Sequence, residues 1–153
     1  MQVFIHRSLV LLSTITLSSF NLHENVQADK NYKYKAQLGC TEMQGDFMVK
    51  KSFDSIVAFP LCARDSNQNV LPVTGFDITY AERGLYEDST GLPIIFTDYT
   101  HAKIDGNSLP KKWIDIFKER SYKGDTIFFE NIKVSGNSEQ KANGCKPLRI
   151  IIR

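Results

Sequence analysis

From Tyr32 to the C-terminus, apolar residues recur mostly at every second position, and helical spacing interrupts that rhythm in one place only. Alternation with a period of two puts one side of a strand in a core and the other in water, so the pattern predicts a mainly β fold. In YKYKAQL, Tyr32, Tyr34, Ala36 and Leu38 share one face and Lys33, Lys35 and Gln37 the other. In VTGFDITY, Phe76, Ile78 and Tyr80 alternate with Asp77 and Thr79, and Gly75 marks a bulge or a close backbone approach. In the last strand Leu148, Ile150 and Ile152 alternate with Arg149, Ile151 and Arg153. Two apolar runs lack alternation: IVAFPLC (Ile56 to Cys62), whose Pro60 fits an edge or a break, and LPIIFT (Leu92 to Thr97). Turn chemistry separates these pieces at Asp65 to Asn69, at Asp105-Gly106-Asn107 and across Arg83 to Gly91, which reads as loop.

The exception is Ser108 to Arg120, a predicted helix over about 109–120. Ser108 is a candidate cap, Pro110 is tolerated in a first turn, Gly124 can stop the chain, and Leu109, Trp113, Ile116 and Phe117 recur at helical spacing. The Trp113-Phe117 stripe reads as core packing.

The segment that follows, SYKGDTIFFENIKVSG, has an awkward parity. Ile127 and Phe129 face one way, while Phe128, Ile132 and Val134 face the other. Either both faces are covered, or an extra residue near Glu130-Asn131 shifts the register so that Ile127, Phe129, Ile132 and Val134 all point inward. The bulge is the preferred solution. Together these elements predict an immunoglobulin-like antiparallel β-sandwich with one short helix.

At the N-terminus, MQVFIHR precedes an uncharged apolar run from Ser8 to Phe20, shorter than the ~20 residues a membrane span needs. It reads as a secretory signal with cleavage after Ala28, an N-terminal anchor being the competing reading. Residues 29–153 then form a single domain, periplasmic or secreted, with no membrane span after cleavage. Removal of Arg7 and Glu24 leaves the net charge at +2, and the lysines are scattered among acids, which argues against nucleic-acid binding. Of the three cysteines Cys40, Cys62 and Cys145, two can form a bridge in an oxidising compartment, with the pairing left open. Joining Cys145 to an earlier cysteine would close a long loop worth about 4 kcal/mol. Three buried, reduced thiols are the alternative.

Few residues are placed for catalysis. His101 is the one histidine of 29–153, and neither spaced metal ligands nor a nucleophile elbow, phosphate loop or dinucleotide fingerprint is present. Glu87-Asp88 reads as a solvated loop pair and Asp125 as a turn cap. The expectation is no catalytic, metal or cofactor site.

The order of a short helix, Lys123-Gly124-Asp125, the strand IFFENIK, a Gly-containing loop and a closing PLRIII strand resembles the C-terminal domain of the gliding-motility and type IX secretion protein GldM (PorM in some species). Upstream, Tyr34 to Leu38 resembles that family's basic strand, Gly45 to Phe53 its Gly-rich, Ser-Lys-containing segment, and Val73 to Tyr80 its Phe-rich strand. The resemblance implies a periplasmic Bacteroidetes domain, here standing alone, that binds an envelope protein and turns over no substrate. A homodimer also fits it. From another functional class, a small secreted hydrolase or peptidase using a Cys/His or carboxylate site is the alternative, and a cleft converging on Cys62, Cys145 or His101 would favour it.

Overall fold

The computed structural model describes residues 32–42, 46–135 and 144–153; the expected signal segment 1–28 and most of the polar loop after Ser135 lie outside them. The described residues are mainly β with two short helices. Its elements are β1 (Tyr34–Leu38), β2 (Phe47–Met48), α1 (Lys50–Ile56), β3 (Leu61–Arg64), β4 (Val70–Glu87), β5 (Pro93–Asp105), α2 (Lys111–Arg120), β6 (Thr126–Val134), β7 (Cys145–Lys146) and β8 (Leu148–Ile152).

All eight strands join in one sheet, ordered β2-β8-β6-β4-β3-β1-β7, with β5 attached to β4 off that path. The sheet curls on itself. β7 runs parallel to β1 with Tyr34 opposite Cys145, and after Pro147 alone the chain continues as β8, which pairs antiparallel with β6 near the other end of the order. The mainly β expectation holds, in the form of a single curled sheet wrapped around its own core.

Strand β4 makes the curl possible because it changes partner along its length. Val70 to Pro72 pair with β3, residues from Val73 pair with β6, and residues from Gly75 also pair with β5. At Gly75 the β4–β6 register shifts, and the Ile104 carbonyl stands 3.2 Å from where a Cβ would project. Both meanings proposed for this glycine apply. The second shift answers the parity problem of β6: Asp77 faces Glu130 and Gly75 faces Lys133, so Asn131 and Ile132 together oppose Phe76. Asn131 takes φ +48°, a left-handed conformation that asparagine tolerates. With the extra residue absorbed, Ile127, Phe129 and Ile132 are buried and Val134 packs at the core margin.

Both helices press aromatic side chains into the curl. Phe117 of α2 is fully buried and meets Tyr80 edge-on at 5.2 Å, Trp113 at 5.4 Å and Phe53 of α1 edge-on at 5.6 Å. Trp113 is therefore a core residue, as its spacing suggests. Helix α1 was not anticipated. It is seven residues long, begins without a side-chain cap, and buries Phe53 with Val57 just beyond its end, too short a run to display a period. Its presence moves the third strand: Ile56 belongs to the helix, and β3 starts only after Pro60. Helix α2 begins at Lys111 with Pro110 at the cap position, while the Ser108 hydroxyl donates to Asn107 Oδ1 (3.0 Å) and caps nothing.

The bridge joins Cys40 to Cys62, and Cys145 is a free, buried thiol. Of the three pairings the sequence leaves open, this one forms for a local reason: β1 leads through the Gly39-Cys40 turn back beside β3, which sets the two α-carbons 5.1 Å apart, while Cys145 faces the core opposite Tyr34. Among the described residues no helix is long and apolar enough to cross a membrane.

Burial pushes the Cys145 thiol up to about 12, so it stays protonated and unreactive at neutral pH. Alkylation of native protein at pH 8 is expected to leave every cysteine unmodified; denaturant should expose one thiol per chain, and two more only after reduction. Reduction should lower stability by about 3 kcal/mol, the chain-entropy value for a loop of this size, measurable as a fall in the urea midpoint.

Asp125, fully buried, is expected to be the most sensitive polar position. Its Oδ2 accepts from Tyr80 Oη (2.7 Å) and the Tyr122 N–H (2.8 Å), and its Oδ1 from the Arg83 N–H (2.8 Å). Asp125→Ala strands the buried Tyr80 hydroxyl and two partly buried N–H groups and should cost ~3 kcal/mol, whereas Tyr80→Phe removes one donor and should cost about 1–2 kcal/mol. Equal urea midpoints for the two variants would contradict this ranking.

Candidate functional site: an exposed hairpin edge

Strand β6 follows β4 only as far as Ala81, which faces Thr126. Beyond that point β4 and β5 continue alone as a two-stranded arm, Glu82 to Glu87 paired with Pro93 to Asp98, projecting about 20 Å at the usual rise per residue. The arm overturns the expectation that Arg83 to Gly91 is loop, since the strand persists through Gly84 to Glu87 and only the turn at its tip is irregular.

A lone two-stranded ribbon is marginal in water, and this one carries three local supports. Across from Gly84 lies Phe96, whose ring covers the glycine so closely that any added Cβ would overlap it, and Tyr86 meets that ring edge-on at 6.4 Å. At the tip, Asp88 Oδ1 accepts from the Thr90 hydroxyl (2.7 Å), the Thr90 N–H (2.8 Å) and the Leu92 N–H (2.9 Å). These bonds, the Thr90 hydroxyl first, hold the Asp88 carboxyl below its ordinary range, so the tip stays anionic beside Glu87. At the root, the Arg83 N–H donates to Asp125 and Arg120 pairs with Glu82 at 2.5 Å.

What the arm presents is unusual for a surface. On one face Leu85 and Ile95 are 69% and 60% exposed; on the other Tyr86, Ile94 and Phe96 are exposed too, with Leu92 at the turn and Tyr99 farther down β5. The free side of β5 pairs with none of the described strands, and its register with β4 runs from Glu87↔Pro93 to Gly75↔Asp105 without a shift. Edge strands are ordinarily guarded by lysines, bulges or cover. Between Ile94 and Ala102 the only formal charge is Asp98.

The residues weighed for chemistry are dispersed. His101 Nδ1 shares a 2.9 Å hydrogen bond with Thr79 Oγ1 on the outer sheet face, beside an open depression of about 400 Å³ bounded by Asp77, Lys103, Glu130 and Asn131. Cys62 faces Pro72, seven residues along β4 from Thr79 and hence roughly 23 Å away. Neither it nor the buried Cys145 lines that depression. Asp125 serves the turn that the sequence assigns it, and Glu87-Asp88 shapes the arm tip. Among the described residues no group of three or more His, Cys, Asp or Glu side chains could hold a metal ion. Sequence reasoning missed the arm because an unbroken apolar run such as PIIF has the same appearance whether a core or a partner is to cover it.

Gly84→Val should drive Phe96 off its partner strand and loosen the arm without reaching the core. The expected outcome is loss of amide-exchange protection across 82–98 with a nearly unchanged global unfolding midpoint; full protection in the variant would refute the glycine–aromatic support.

Comparison of the chain with protein-family models, curated proteins and solved structures returns no match to any of them.

Proposed function

We propose that this chain is an exported, non-catalytic interaction module of the GldM C-terminal kind, immunoglobulin-like in its ancestry, that docks on an envelope protein in the periplasm or outside the cell. The observation that carries the reading is the β5 edge: thirteen residues whose outer side pairs with no described strand, unguarded by basic residues over most of their length and flanked by apolar side chains on both faces. Strand addition satisfies the outward backbone groups and covers such side chains at once. The Cys40–Cys62 bridge supports export, since disulfides persist in oxidising compartments. A role in secretion or gliding rests on the resemblance of Gly124 to Lys133 and of the closing PLRIII strand.

In its Cys/His form the hydrolase alternative loses Cys62, which is bonded, and Cys145, which is buried and protonated, and keeps His101 with Thr79; in its carboxylate form it would use Asp77 or Glu130 of the same depression. It ranks second. Among the described residues no carboxylate is bonded to the His101 ring, and catalytic imidazoles need such an orienting partner.

The test is affinity isolation from the native envelope with the tagged wild-type chain and with Leu85→Lys/Tyr86→Lys, which alters both arm faces and no buried residue. Specific secretion-apparatus components should be retained by the wild type and reduced at least tenfold by the variant. Equal retention, or hydrolytic turnover abolished by His101→Ala, would overturn the reading.

A further inference from the structure

The outer face of the body carries a second set of solvent-facing side chains, separate from the arm and from the strand edge. Where β4 is flanked by both β5 and β6, three rows cross the sheet: Tyr99–Ala81–Thr126, His101–Thr79–Phe128 and Lys103–Asp77–Glu130. Residues opposed across a ladder share a face, and so do residues two apart along a strand, so these rows form one surface. We propose that this surface binds a saccharide, an internal stretch of a neutral, β-linked hexopyranose chain laid across the sheet. The site is additional to the docking edge and does not rest on it.

A pyranose is amphipathic in its own way: its flat faces present C–H groups, and its rim presents hydroxyls that each donate and accept. The surface has the matching division. At one end Tyr99 is 58% exposed, and its ring lies within 7° of parallel to that of His101 with the centroids 6.4 Å apart. Half-buried Phe128 stands on the other side of Thr79, so rings flank the small residues Thr79 and Ala81. Polarised C–H groups are attracted to the electron-rich faces of such rings.

At the other end lies the open depression of about 400 Å³, where Asp77, Thr79, His101, Lys103, Glu130 and Asn131 all bring hydrogen-bonding side chains. Asn131 Nδ2 donates to Asp77 Oδ2 (2.7 Å), tying carboxylate and carboxamide into one unit. Among the described residues Asp77 Oδ1, Asn131 Oδ1 and the second amide N–H keep their capacity, so one hydroxyl of a neighbouring pair can donate to the carboxylate while the next accepts from the amide. The 2.9 Å bond to Thr79 occupies His101 Nδ1 and fixes the ring, leaving Nε2 for the ligand. The parallel rings and the tied Asp77–Asn131 unit are in place before binding, which lowers the ordering cost.

Openness and charge narrow the class. Closed pockets bury most of a small ligand, whereas this depression leaves one side of its occupant in water, which a polyhydroxylated chain tolerates and an apolar molecule does not. Nothing in an open face requires a chain end. Asp77 and Glu130 are opposed across the ladder with one lysine, Lys103, beside them, so uronates and phosphorylated sugars are disfavoured. A flat sheet face suits the ribbon of a β-linked chain.

The test titrates the wild-type chain with cellohexaose and with chitohexaose, read by amide chemical shifts and calorimetry. At ~1 mM, at least one of the two should shift the amides of 77–81, 99–103 and 128–131 and leave those of the arm tip unchanged. Tyr99→Leu keeps an exposed apolar side chain without the ring and should weaken binding about tenfold or more, while Tyr99→Phe should stay within about twofold of the wild type. Because Tyr99 is exposed, both variants should keep the wild-type urea midpoint. An oligogalacturonate should bind more weakly than the neutral sugars; tighter binding would overturn the neutral assignment. If neither neutral sugar shifts these amides, or if Tyr99→Leu binds as the wild type does, the inference falls, whatever the arm captures. Leu85→Lys/Tyr86→Lys should bind sugar normally even when it no longer captures an envelope protein, and loss of both would overturn the separation of the two sites. Cleavage of either sugar, abolished by Glu130→Gln, would uphold the saccharide site and overturn the non-catalytic reading instead.

Discussion

One buried carboxylate ties together the parts on which everything else hangs. Asp125 ends the turn that leaves α2, and its own backbone carbonyl accepts from the Ile152 N–H (2.9 Å), while the neighbouring Gly124 N–H donates to the Ile152 carbonyl (2.8 Å). Its side chain meanwhile holds β4 through Tyr80 and the Arg83 N–H. Helix exit, last strand and longest strand are thereby fixed at a single point. A polar group out of water is tolerable only when it is satisfied, and here three donors aim at its two oxygens. Gly124 serves the same junction: at φ +99° it makes the turn, and the Arg83 side chain lies across it with Nη1 2.8 Å from the position of a missing Cβ.

That junction also lies at the root of the arm. Arg83 is the second residue of β4 past the last contact with β6, so the backbone is clamped where the ribbon leaves the body. Glu82, one residue earlier, is held by Arg120 from the end of α2. An arm attached through a frayed root would sweep a wide volume and lose much entropy on docking. Clamping the root removes part of the cost that the proposed docking would carry, and the Gly84–Phe96 cover and the Asp88 turn remove more along the ribbon.

The elements legible in the sequence were those whose residues answer to one neighbour at a time. The alternation of β1 and β8, the Asp65 turn, the Trp113-Phe117 stripe and the bulge at Asn131 each follow from side-chain parity or from local backbone chemistry. Asp65 shows this plainly, with its Oδ1 accepting from the N–H groups of Asn67 and Asn69 (both 2.9 Å). What escaped depended on distant company. Helix α1 exists because Phe53 finds Phe117, and no seven-residue window can reveal that. The cysteine pairing follows from how the Gly39-Cys40 turn returns beside β3. The single curled sheet follows from β4 exchanging partners along its length, which a list of strands does not contain. Even Gln37, placed by parity on the polar face of β1, is buried, because Arg64 across the ladder donates to its Oε1 at 2.7 Å.

The arm was illegible for a different reason, and that reason bears on function. Its apolar residues contribute little to the folded body: the core cluster closes without a residue between Glu82 and Asp98. They therefore carry no signature in the pattern of burial that a chain must satisfy to fold. Water-facing leucine, isoleucine and phenylalanine on both sides of an unguarded edge oppose solubility and invite mispairing, and a net charge of +2 gives weak electrostatic protection against it. A glycine, an aromatic ring and a buried carboxylate hold that surface in shape, which is the arrangement the proposed docking role calls for. The same separation has an evolutionary corollary. Because the core closes without the arm, substitutions between Glu82 and Asp98 leave the curled sheet intact, so that under the proposed docking role specificity would be written there.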